Sequence, residues 1–390
     1  MSDTPLALAA PLTQRSRTRH PLRIAVIAPS QYPIRQPFAG GLEALVWNLV
    51  DRLRRRGHTV SLFAGEGSDG ADERYAFPAA GWEPSPAARE DCSMPPDRFM
   101  SDHHAYLRLL MALAQPLADS FDVVHNHALH HLPLAMAPML DMPVLTTLHT
   151  PPTPWLESAV SAAPYPGGPP GSFAAVSGYI AQAWQSAHAG VAASVVLNGV
   201  DLGEWPLGPG GDRLVWFGRF VPEKGPHLAV DAARQAGMPI TLVGPVVDGT
   251  YFAGAIRPRL GPDVEYGGHL AVPELAALVG ASAGALVTPV WDEPYGLVVA
   301  EALACGTPVV AFDRGGIPEV LTDPAVGSLV PPGDVVGMAD AVRRSVLLDR
   351  DDVRSYAERY LSLDRMITRY ERLYAQLRSG ATWEESRSVG

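Results

Sequence analysis

The sequence predicts an α/β protein built of two doubly wound domains. Three observations carry this. Short β-rich apolar runs alternate with stretches of helical periodicity, the alternation stops in a Gly/Pro-rich stretch and then restarts, and 390 residues exceed one ordinary core but suit two.

The first run is "LRIAVIAP" (22–29), the kind of segment buried on both faces of a parallel sheet. A loop, "SQYPIRQPFAGG", leads into "LEALVWNLVDRLRRRGH". Its Leu42, Leu45, Val46, Leu49, Val50 and Leu53 share one helical face and Gly57 closes the helix. "TVSLFAG" is the next strand, which completes a β-loop-α-β unit. In this unit "RLRRR" (52–56) reads as the solvated face of the helix. Further strands follow at "FDVVHNH" (121–127), "PVLTTLHT" (143–150) and "SFAAVS" (172–177). Two Pro-, Gly- and Ser-rich segments, 77–97 and 158–172, read as binding loops or unstructured connections.

"VVLNGVDLGEWPLGPGGDR" (195–213) breaks the pattern and holds the linker. Beyond it come "RLVWFGRF", a helix near 226–236, "PITLVG", "VEYGG", a helix near 272–281, "GALVTPV", a helix expected over Pro294–Cys305, and "TPVVAF". Residues 351–377 carry one long amphipathic pattern that should pack across both domains. The resulting plan is a tail (1–20), a first domain (21–197), a linker (198–213), a second domain (214–354), a crossing helix (355–378) and a final tail (379–390).

Composition narrows the partners. With 47% apolar and 18% charged residues the chain is packed, and a net charge of −11 argues against nucleic acid and against a broad anionic membrane surface. One lysine stands among twenty-nine arginines, which singles out Lys224. Cys92 and Cys305 have no metal-site or disulfide spacing. The apolar "PLALAAPL" precedes the basic "TQRSRTRH", the reverse of a signal peptide, and no run reaches the ~18 apolar residues of a membrane helix. A cytoplasmic protein without stable membrane association is expected.

The candidate site residues come next. "WDEPYGLVVAEALACGTPVVAF" places Glu293 and Glu301 eight residues apart, so on a helix both carboxylates share a side at ~80° and ~12 Å. At its start the amides of Tyr295, Gly296 and Leu297 lack intrahelical partners and suit an anion. Glu301, inside "LVVAEALA", requires a hydrogen-bonding partner such as a sugar or ribose diol. Arg219 and Lys224, in "FGRFVPEKG" at a strand end, could hold a pyrophosphate. Gly40 and Gly41 precede a helix, where backbone amides bind phosphate. His149 ends a strand that faces the cleft. Each has a plainer reading: a first-turn acid, solvated loop cations, a flexible turn, a structural histidine. In "HNHALHH", His125, His127, His130 and His131 come without cysteine or an HExxH pattern, so they read as a polar acceptor-side wall and no metal is expected.

Taken together, Gly40-Gly41, His149, Arg219 with Lys224, and "EPYGLVVAEALACGTPVVAFDRGGIPEV" resemble the retaining glycosyltransferases of family 4 over about residues 22–378. Glu293 and Glu301 meet that family's Glu-x7-Glu motif. The resemblance implies a GT-B fold, two Rossmann-like doubly wound domains facing each other across a cleft, with a C-terminal helix crossing back to the first. It implies Glu301 on the ribose, Arg219 and Lys224 on the diphosphate, and Glu293 on donor-sugar hydroxyls beside the amides of Tyr295, Gly296 and Leu297. Gly40 and Gly41 would close on the phosphates, and His149 would lie against the sugar. It also implies a nucleoside-diphosphate sugar as co-substrate, UDP-glucose or similar, with no cofactor and no metal. The acceptor would be a small molecule or saccharide bordered by "HTPPTPWLESAV" (149–160), because the lysine-rich membrane grip of many relatives is missing. A dehydrogenase is excluded by the lack of G-x-G-x-x-G after the first strand. A nucleotide-sugar epimerase or hydrolase of the same fold, or a non-catalytic sugar-nucleotide sensor, is the alternative.

Overall fold

The computed structural model describes residues 21–75, 83–93, 95–162 and 172–379. The tail expected at 1–20, most of the final one, and parts of the two Pro-rich segments lie outside the described residues. Two six-stranded, wholly parallel sheets form the frame. The first runs β2-β1-β3-β4-β5-β6, from β1 (Arg23–Ile27), β2 (Thr59–Phe63), β3 (Val123–Asn126), β4 (Val144–Leu148), β5 (Phe173–Ala175) and β6 (Ala193–Val195). The second runs β12-β11-β10-β7-β8-β9, from β7 (Leu214–Phe217), β8 (Ile240–Val243), β9 (Val264–Tyr266), β10 (Gly284–Val287), β11 (Val309–Phe312) and β12 (Gly327–Val330).

Counted within its own domain, the second sheet has the 3-2-1-4-5-6 order of a Rossmann fold, and the first has the related 2-1-3-4-5 order with one more strand. Strands such as β7, β8, β10 and β11 are buried at every residue, so their sequences are continuous apolar runs. Helices Gly41–Arg55, Pro226–Ala236 and Val272–Gly280 form where their apolar spacing places them. Helix Asp97–Ala114 was not expected, because it begins inside a Pro-rich segment. Its Tyr106, Leu109, Leu110 and Leu113 nevertheless cover one face of the first sheet.

The last segment differs from the single helix expected over 351–377: it is two helices, Arg350–Tyr360 and Leu363–Ser379. The linker causes the break. Val200 N donates to Leu361 O at 2.9 Å and Leu363 N donates to Val200 O at 2.8 Å, so the chain at 361–363 pairs with the linker instead of continuing the helix. Gly199 permits the crossing, since a Cβ there would lie 2.6 Å from Leu363 Cα. The first of the two helices stays with the second domain through Arg354, which donates to Ala304 O at 2.6 Å. The second buries Leu363, Met366, Ile367, Tyr370, Leu373 and Tyr374 against β1 and helix Gly41–Arg55.

This packing also corrects the reading of "RLRRR". Arg52 pairs with Asp201 and Asp364, each at 2.6 Å, while Arg56 pairs with Asp364 and Glu371, each at 2.8 Å. Arg54 donates to Val60 O and Gly70 O. Arg54 and Arg55 are exposed as expected, whereas Arg52 and Arg56 are not. The cations sit between the first helix and the acids of the crossing helix, a partner that spacing within one helix cannot reveal.

Candidate active site

Loops at the carboxyl ends of strands from both sheets surround one cleft, as open α/β sheets arrange it. After β7 the chain passes Gly218 and Arg219 into the single turn Pro222–Lys224. Lys224 Nζ then reaches Glu293 Oε2 at 2.5 Å, in the loop after β10. Trp291 Nε1 donates to that same oxygen at 3.0 Å, and Lys224 lies 5.3 Å from the centre of the Trp291 ring. The cation and the acid expected on one ligand are held together by an indole.

The helix after this loop is shorter than the expected Pro294–Cys305. It spans Leu297–Ala304, because Gly296 is left-handed at φ +92° and breaks the entry. Glu293, Pro294 and Tyr295 therefore precede the helix, and the two glutamates do not share one helical face. Glu293 sits beside the helix entrance and Glu301 in its middle. Glu301 is half-buried, and among the described residues neither of its oxygens is hydrogen-bonded to the protein. Desolvation, with the nearby Glu204 carboxylate, pushes it up to about 8. The polar partner that "LVVAEALA" demands is thus not supplied by the described residues.

From the first domain, Gly40 caps helix Gly41–Arg55 without a side-chain hydrogen bond, and in the first turn the Glu43 carboxylate takes its own backbone amide. This helix start abuts the other one: a Cβ on Gly41 would lie 3.3 Å from Leu297 Cδ2. Two positive helix ends converge here, an arrangement that favours an anion between them. Glu43 is buried in the same turn; desolvation raises its pKa, while Arg219 across the cleft opposes that shift. Glu43 was not singled out from the sequence, although an acid inside "GGLEALV" carries the same signal as Glu301. Asn198, Glu204 and Trp291 also line the cleft and were missed. Nothing in the sequence around Glu204 distinguishes it from linker polarity, whereas Asn198 opens the "NGVD" (198–201) that belongs to the family resemblance.

His149 stands on the cleft wall, where burial pushes its imidazole down to about 3, so it is neutral at ordinary pH. Its Nε2 shares a proton with His127 Nδ1 at 2.9 Å. Behind them His125 meets Thr147 Oγ1 at 2.8 Å and Tyr374 Oη at 2.7 Å. His125 and His127 are fully buried, so they are not the polar wall expected of "HNHALHH". They tie the cleft wall to the crossing helix. His130 and His131 alone lie nearer the surface, where His131 stacks on Trp155 at 5.2 Å.

All ten residues singled out by the sequence line this cavity of ≈ 380 Å³: Gly40, Gly41, His149, Arg219, Lys224, Glu293, Tyr295, Gly296, Leu297 and Glu301. Tyr295 Oη donates to Asn198 O of the linker at 2.6 Å, and Glu319 joins the two domains by accepting from Gly178 N and Tyr179 N at 2.6 and 2.8 Å. Both cysteines are free.

Fold and cleft define a two-domain, doubly wound α/β protein with one cleft at its strand ends, and comparison with known proteins gives the family. Residues 39–204 match the model of "Glycosyltransferase Family 4" and residues 211–347 that of "Glycosyl transferases group 1". The chain belongs to the family 4 glycosyltransferases and is an enzyme of that class, with the GT-B fold. The phosphatidyl-myo-inositol mannosyltransferase of Mycobacterium leprae is 28% identical over 87% of this chain and 90% of its own. AviGT4, described as a glycosyltransferase involved in avilamycin A biosynthesis, is 25% identical, with a TM-score of 0.65 over 93% of this chain and 100% of its own. HepE of Anabaena, solved in complex with UDP-glucose, has a TM-score of 0.66 at 18% identity over 91% of this chain and 100% of its own. Among the described residues no helix is long and apolar enough to cross a membrane.

Proposed function

We propose that the enzyme transfers a hexosyl group from a nucleoside-diphosphate sugar to a hydroxyl of a small or medium-sized polar acceptor, with retention of anomeric configuration and without a metal ion. The observation that carries this is the convergence, in one cleft, of two cations and two helix N-termini with a carboxylate, Glu301, that has no hydrogen-bonding partner among the described residues. In this reading Glu301 accepts from the ribose diol. Arg219, Lys224 and the amides from Gly41 and Leu297 take the diphosphate, whose charge grows as the glycosidic bond breaks. The cations supply the neutralisation that a divalent ion would otherwise provide. UDP-glucose is the donor of choice here, as in the HepE complex. The mannosyl group named for the mycobacterial relative makes a mannose donor the competing possibility.

Glu293 is a hydroxyl acceptor for the donor sugar in this scheme and not a nucleophile. Its carboxylate is already bound to Lys224 and lies on the phosphate side, whereas double displacement requires a carboxylate on the opposite face. Neutral His149 offers a hydrogen bond to the sugar. The departing phosphate takes the acceptor's proton, so the new bond forms on the face that the leaving group vacates. The test is to incubate the enzyme in EDTA with UDP-, GDP-, ADP- and dTDP-sugars and a panel of saccharide acceptors, and to assign the product anomer by NMR. An α-linked product from an α-linked donor supports the proposal. An inverted product, or turnover only after a divalent metal is restored, refutes it.

A further inference from the structure

On the rim of the first domain, helix Asp97–Ala114 brings His103 against His130 and His131, at the start of the short helix His131–Ala135. The three residues present one ring nitrogen each, all within 4.8 Å of one another. His130 and His131 stack at 4.3 Å between ring centres, and His103 lies 5.9 Å from each. In the same residues, His103 Nδ1 and His130 Nε2 are buried and have no hydrogen-bonding partner among the described residues. Buried polar atoms are ordinarily hydrogen-bonded, and one cation held by the clustered imidazoles would satisfy two such nitrogens at once.

We propose that His103, His130 and His131 form a binding site for a single divalent transition-metal ion of the zinc class, separate from the transfer cleft. Three imidazoles suit zinc, copper or nickel better than calcium or magnesium, which take oxygen ligands. In a tetrahedral site with nitrogen ligands at ~2.0–2.1 Å the nitrogens sit ~3.3 Å apart, so rotations that move each ring by about an ångström close the cluster. His130 Nδ1 accepts from Leu132 N at 3.2 Å. When Nε2 binds the ion its proton moves to Nδ1, and that long contact gives way. A fourth position stays open to water or to a hydroxyl. The surroundings hold the rings: Tyr106 stacks on His130 at 4.8 Å and Trp155 on His131. The ion would staple helix Asp97–Ala114 to the loop that carries Leu129 into the cleft wall. Sequence spacing gave no hint of this, because His103 comes from a different helix.

The test uses cobalt(II) chloride, then zinc chloride, on the full-length metal-free protein. One cobalt ion per chain should bind, with the intense visible d–d absorption of a four-coordinate site. Zinc should displace it and raise Tm. His103→Asn and His131→Asn should each weaken binding by at least ~10-fold, whereas His103→Asp, which keeps a ligand, should retain it. The wild-type titration stands whether or not a variant folds. Absence of a one-to-one complex at micromolar cobalt, which would mean that only water fills the cluster, overturns the proposal; so does binding that survives both asparagine substitutions. Transfer activity in EDTA is independent of either result, so this site and the transfer reading fail separately.

Discussion

Lys224 Nζ lies 2.5 Å from Glu293 Oε2, the same oxygen to which Trp291 donates. As a structural ion pair at this partial exposure it would contribute only ~0–1 kcal/mol. Its place at the cleft, in a chain with one lysine, argues for a role in charge stabilisation. Lys224→Ala should lower kcat by ~10²–10³-fold while Tm falls by no more than ~2–3 °C. Steady-state kinetics beside calorimetric melting checks this, and parallel losses in both would reduce the pair to a structural one.

Glu301 makes a pH prediction. Its folded-state pKa of about 8 lies above the ordinary glutamate value, so the folded state holds a proton that the unfolded state has released. Its contribution to stability is therefore fully present below the ordinary value and is lost as pH rises through about 8. Glu301→Gln should flatten this slope and melt higher than the wild type above that pH. The same variant should bind nucleoside diphosphates ~10–100-fold more weakly, since a carboxylate that accepts two hydroxyls is lost. Wild-type binding should release a proton below the same pH, readable by calorimetry in buffers of different ionisation enthalpy. Tighter nucleotide binding by the glutamine variant would remove the ribose assignment.

Gly41 fits against Leu297 with no room to spare. Gly41→Val should raise the donor KM by ~10-fold or more, because the branched side chain separates the two helix starts that frame the diphosphate. Tm should move little, since Gly41 is exposed and Leu297 is only partly buried at the edge of the core. Unchanged donor kinetics would show that the cleft does not work in this closed form.

The sequence made the architecture legible where burial decides it. Continuous apolar runs became parallel strands, and 3.6-residue spacing became helices Gly41–Arg55 and Pro226–Ala236. The cleft residues were legible for a related reason: Glu301 contradicts its apolar surroundings, and Lys224 contradicts the arginine usage of the chain. What escaped depends on contacts distant in sequence. The break at Leu361–Ser362 comes from linker residue Val200, Arg52 and Arg56 of the first helix answer to Asp364 and Glu371 some three hundred residues away, and buried His125 is held by Tyr374. Local pattern also misplaced the start of helix Leu297–Ala304, because Pro294 suits a first turn while the φ of Gly296 does not.

Arg52 joins the linker to the crossing helix through Asp201 and Asp364. Arg52→Ala leaves two acids without their shared cation, with Glu204 already shifted upward by desolvation and by Asp201. Tm should fall by roughly 2–4 °C, and limited proteolysis should cut first near Leu361. A Tm within ~1 °C of the wild type would show that the apolar face of the crossing helix alone holds it in place.

The most direct measurement is calorimetric titration of UDP and GDP, in EDTA, into the wild type and into Glu301→Gln and Lys224→Ala. One site per chain for at least one nucleotide, with affinity reduced in both variants, is the predicted result. No binding of any nucleoside diphosphate, or equal affinity in all three proteins, would contradict the assignment of this cleft to a nucleotide-sugar donor.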